Sequence, residues 1–110
     1  MSPVRLLTTD ERALLAGMMA DKPEAARLLD SLPTALVEEM DDGGMGSLRF
    51  YAPEDVSRRL GEQLVEKEFA DIDGVPVIVA INLDDRGDLY ELDVWKVDFS
   101  PLKRFPAISK

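Results

Sequence analysis

A chain of 110 residues with 45% hydrophobic and 32% charged side chains has the length and apolar content of one globular domain, residues 1–110, built on a single core and far from the signature of disorder. Cysteine is absent, which excludes a disulfide framework, a redox motif and a thiolate metal site, and fits a reducing cytosol. The net charge of −9 repels phosphate backbones and anionic lipid, so neither nucleic acid nor membrane is an expected partner unless through the basic C-terminal end.

The charge is unevenly placed. Residues 61–98 hold 11 acids against Lys67, Arg86 and Lys96, a local −8, whereas residues 99–110 hold Lys103, Arg104 and Lys110 and no acid. The N-terminal MSPVRLLTTDER is too short in apolar residues for a secretory leader, and the longest apolar run, residues 75–81, falls well below the ~20 residues that span a bilayer. The expected location is the cytoplasm.

Taken in order, Thr8-Thr9-Asp10-Glu11 matches a capping box, and Leu14, Leu15, Met18 and Met19 follow as one helical stripe. Asp21-Lys22-Pro23-Glu24 breaks that helix and starts a second, whose stripe is Ala25, Leu28, Leu29 and Leu32 before Pro33 stops it. Alternation predicts short strands over 36–40 and 47–51. The glycine-rich DDGGMG between them lacks the glycine spacing, following helix and lysine of a phosphate loop, and Gly46-Ser47 lacks the second glycine of a nucleophile elbow. It reads as a hairpin connection. Proline near the start, acids first, arginines last and Gly61 beyond predict a third helix over 53–60.

A strand over 63–72, the turn pair Asp73-Gly74 and a β-branched strand over 75–83 predict a hairpin. After the turn at 84–88, LYELDVWKVDFSPL (89–102) alternates as a strand ending near Asp98 or Phe99, before Pro101. The expected fold is α+β: two N-terminal helices, a short middle helix and an antiparallel sheet of about five strands built from hairpins.

DDGGMGSLRF (41–50), the phrase from Phe69 through Asp71, Asp73 and Gly74, and ELDVWKVDFSPL (91–102) together resemble a family of small bacterial domains of unknown function. The resemblance covers nearly the whole chain. It implies a bacterial, stand-alone α+β domain and brings no chemistry.

Reading Asp73-Gly74 as a two-residue turn pairs residues whose numbers sum to 147, and a symmetric loop at 84–88 pairs those summing to 172. One face then carries Val65, Phe69, Ile78, Ala80, Tyr90, Leu92 and Val94 as core. The other sets Glu66, Glu68, Glu91 and Asp93 around Val79 and Ile81, with Val77 beside Trp95. These seven, Glu66, Glu68, Val79, Ile81, Glu91, Asp93 and Trp95, are the candidate binding residues.

Three functions fit that face. An acidic rim around an apolar stripe and a tryptophan suits a binding module for a basic protein partner, such as an immunity-like inhibitor of a basic toxin. Paired carboxylates suit metal binding or acid–base catalysis, against which stand the absence of histidine and cysteine and the lack of any EF-hand spacing; no metal, cofactor or catalytic residue is assigned. Alternatively the helices cover the stripe and the domain is structural, with its function elsewhere. Oligomeric state is not readable from the sequence.

Overall fold

The computed structural model describes residues 4–23, 25–40, 46–51 and 59–106. Its elements run β1 (Arg5–Leu6), α1 (Thr9–Met19), α2 (Ala25–Ser31) with a 3-10 turn (Leu32–Thr34), β2 (Leu36–Glu39), β3 (Leu48–Phe50), β4 (Leu60–Ala70), β5 (Pro76–Asp84) and β6 (Leu89–Lys96). All six strands form one antiparallel sheet in the order β1-β2-β3-β6-β5-β4. The fold is α+β and dominated by its sheet.

The capping box forms as the sequence predicts: the Glu11 amide donates to Thr8 Oγ1 at 3.1 Å and the Glu11 carboxylate accepts from the Thr8 amide at 2.9 Å. The same carboxylate takes both terminal nitrogens of Arg5 at 2.8 and 2.9 Å, which ties β1, a strand the sequence did not announce, to the start of α1. Burial alone would raise the Glu11 carboxyl, but the Arg5 guanidinium and the Thr8 hydrogen bonds together outweigh it and the net shift is downward. Leu14, Leu15, Met18, Met19, Leu28 and Leu32 bury the helical stripes against Val77, Val79, Ile81, Leu92 and Val94.

The strand ends differ from expectation for local reasons. β6 stops at Lys96, because the Phe99 amide turns back to the Lys96 carbonyl at 2.8 Å. The third helix expected over 53–60 lies outside the described residues except for its end, where Leu60 already belongs to β4. Gly61 is therefore no helix cap; it lies in β4, where a Cβ would overlap the Asp84 carbonyl oxygen. The expected hairpin between β2 and β3 forms, closed by the Met40 amide on the Ser47 carbonyl. Asp41 and the four residues after it lie outside the described residues, and Gly46 takes φ +88°.

Both expected registers are off by one. The β4–β5 turn has three residues, Ile72-Asp73-Gly74: the Gly74 amide reaches the Asp71 carbonyl at 2.8 Å and the Asp71 amide the Val75 carbonyl at 3.0 Å. Only Gly74 has positive φ there, +82°, the pattern of a type I turn followed by a glycine bulge rather than a type I′ pair. Opposed residues in the regular part of this pair, such as Val65 and Ile81 or Glu66 and Ala80, accordingly sum to 146. Between β5 and β6 the expected pairing holds at Leu83 with Leu89, but Asn82 then faces Glu91, so Tyr90 is an extra residue and the rest of the ladder sums to 173.

Lys96, whose parity in β6 matches Leu92 and Val94, points into the core and is fully buried. Its Nζ lies 2.9 Å from Asp71, which opens the β4–β5 turn, and 2.6 Å from Asp73 within it, while Asp71 also accepts from the Lys103 amide at 2.8 Å and the Ile72 amide at 2.7 Å. One ammonium thus fastens the hairpin tip, the end of β6 and the C-terminal segment together. The Lys103 amide and then the Lys96 ammonium hold the Asp71 carboxyl at about 2, against an ordinary 3.8. Burial would lower Lys96, but its two carboxylates outweigh that and raise it above the ordinary 10.5.

Two outcomes follow for stability. Asp71, depressed in the folded state, contributes stability above its ordinary 3.8 that is lost as pH falls toward 2; Lys96, raised, contributes stability up to 10.5 that is lost only at higher pH. Lys96→Met should therefore destabilise the domain at neutral pH by leaving two adjacent carboxylates without a cation, and the gap in Tm from wild type should narrow as acid protonates them. A gap unchanged as pH falls from about 4 toward 2 contradicts this role. In urea denaturation, Gly61→Ala, which meets backbone, should lie near the top of the ~1–3 kcal/mol range for overpacking, whereas Gly74→Ala, which meets open space, costs only the left-handed backbone, ~1 kcal/mol. Equal losses would contradict the close approach at Gly61.

Candidate functional site

The sheet face opposite the helices is assembled in cross-strand rows. Glu38, Arg49, Glu91 and Asn82 form one row, Asp93, Ala80 and Glu66 the next, and Trp95, Ile78 and Glu68 the third. Five carboxylates thus share the face with one guanidinium. Within the first row Arg49 lies 3.8 Å from Glu91, which also accepts from Asn82 Nδ2 at 3.1 Å, and Arg49 stacks over the Tyr90 ring at 5.5 Å. In the other rows Glu66 and Glu68 are exposed and, among the described residues, take part in no hydrogen bond or ion pair. Trp95 is 37% exposed on β6, with the half-buried Ile78 of β5 between it and Glu68.

Of the seven residues the sequence proposes, Glu66, Glu68, Glu91, Asp93 and Trp95 come together on this face. Val79 and Ile81 do not: both are 0% exposed under the helices, and Ile78 and Ala80 stand in their places. The two register sums slip in opposite senses. Between β4 and β6 the slips add to a shift of two residues, which leaves the faces of those strands unchanged and turns only β5 over. A signal for this was present in β5 itself, where Val77, Val79, Ile81 and Leu83 alternate with Ile78, Ala80, Asn82 and Asp84, so the more apolar set is the odd one.

The arrangement suits contact better than chemistry. Glu66 and Asp93 flank Ala80 from strands two apart, about 10 Å by strand spacing, too far to share a proton or clasp one ion. Among the described residues no three acids converge to hold a metal. Ser47 is buried and structural, its Oγ accepting from the Val94 amide at 2.9 Å and donating to the Val94 carbonyl at 3.0 Å just before β3 begins. Much of the acid counted in the sequence also serves structure: Asp71 and Asp73 hold Lys96, Asp84 Oδ1 accepts from the Arg86 and Asp88 amides, and Asp88 pairs with Arg27 at 2.6 Å.

No helix among the described residues is long and apolar enough to cross a membrane. Neither a curated protein nor a solved structure matches the chain. One family model matches, over residues 4–106, and with all but the two ends of the chain inside that match the protein belongs to the family described as Domain of unknown function (DUF6984).

Proposed function

We propose that the domain is a binding module that engages a basic protein partner through the open sheet face, in the manner of a cytoplasmic bacterial immunity protein that neutralises a cationic toxin. The observation that carries this reading is the half-exposed Trp95 beside Ile78, set among carboxylates of which Glu66 and Glu68 have no partner within the described domain. Unpaired acids at the rim steer a cationic surface toward the face, and a partly exposed aromatic on an apolar neighbour is a surface that gains by desolvation.

The test is capture of a partner from a bacterial lysate followed by kinetics at several salt concentrations. Association should slow at least ~10-fold across the salt range while dissociation changes less, because long-range attraction is screened over ~8–10 Å. Glu68→Lys with Asp93→Lys should reproduce the loss of association rate without unfolding. Trp95→Ala should mainly speed dissociation, ~30-fold for an anchor of this kind. Binding indifferent to salt and to the double reversal rules this face out.

A further inference from the structure

The turn after β6 presents an aromatic ring to solvent on a firmly held backbone. The Phe99 amide is bound by the Lys96 carbonyl, and Asp98 Oδ1 accepts from both the Ser100 amide at 3.0 Å and the Ser100 hydroxyl at 2.6 Å. Phe99 is 78% exposed and adopts φ +62°, alone among the described non-glycine residues in the left-handed region. Both features oppose folding. The ring stays in water, and a Cβ crowds the backbone in that conformation, so glycine would fit the turn better. A strained, exposed phenylalanine has its return outside the monomer.

At the same end of the sheet is a cleft of about 520 Å³ walled by Phe69, Ile72, Val77, Phe105 and Pro106, with Arg104 its one charged wall among the described residues. Its volume is in the range of sites that take a ring. Arg104 makes no hydrogen bond or ion pair among the described residues, so its guanidinium is available to an aromatic face or a carboxylate. Ring and cleft lie at the same end of the sheet, since Lys96 pairs with Val77 and holds the turn that carries Ile72. The exposed ring does not fill its own cleft.

A knob and a hole on one surface meet the condition for a two-fold contact, in which each copy offers both. We propose that two copies of the chain associate through this end of the sheet, each Phe99 entering the other's cleft and each Asp98 meeting the partner's Arg104. The contact uses none of the acids of the open face, and salt separates the two interactions: added salt relieves repulsion between copies that each carry −9 and so strengthens the dimer, whereas it weakens capture of a cationic partner.

Sedimentation velocity on the full chain, from micromolar to near-millimolar and at low and high salt, tests this. The expected result is a reversible dimer that tightens with salt. Phe99→Gly should weaken it at least ~10-fold while raising the Tm of the dilute protein, and Arg104→Glu should weaken it where Arg104→Lys largely retains it. A wild-type chain that stays monomeric throughout, or a dimer unchanged by Phe99→Gly, overturns the proposal.

Discussion

Lys96 Nζ sits between Asp71 and Asp73 without exposure to water, and the arrangement of the sheet depends on that placement. An ammonium at a core-facing position is tolerable only with its carboxylates in reach, because removing a charge from water costs several kcal/mol unless close partners replace the lost hydration. The three-residue turn and the residue that opens it supply both acids from one side. In a two-residue turn Asp71 would move into the strand opposite Pro76 and the faces of β5 would exchange. The cluster therefore acts less as a source of net stability than as a penalty on the neighbouring register, which is the best-attested use of buried ionic groups.

The consequences run along the sheet. With β5 held in this register, Val77, Val79 and Ile81 complete the core under α1 and α2, and Ile78 and Ala80 join Glu66, Glu68, Asp93 and Trp95 outside. The same cluster receives the Lys103 amide and so anchors the segment carrying Arg104 and Phe105. Of the two proposed interaction surfaces, one is the far face of the registered sheet and the other is the end that Lys96 fastens.

Much of this was legible in the sequence. The capping box, both helical stripes and the positions of β2, β3, β5 and β6 follow from periodicity and turn residues, and the acids of β4 and β6 fall on one face as their parity requires. What was hidden is long-range. Whether Asp73-Gly74 closes a turn of two or three residues depends on Lys96, more than twenty positions away, and Tyr90 as a bulge has no local signature. Gly61 looked like a helix cap because its real constraint, the Asp84 backbone, lies on another strand. Lys96 itself could have been singled out as the base among alternating apolar residues whose parity directs it inward.

The register of β4 against β5 is the point on which the account turns, and interstrand proton contacts read it directly. Because the Asp71 amide bonds the Val75 carbonyl, odd residues of β4 face β5 and the even pairs are the close, non-hydrogen-bonded ones. A nuclear Overhauser spectrum of the wild-type domain should show Hα–Hα contacts between Glu66 and Ala80 and between Glu68 and Ile78. Contacts of Lys67 with Ala80 and Phe69 with Ile78 instead, the close pairs of a two-residue turn, would place β5 the other way over and contradict the role assigned to Lys96.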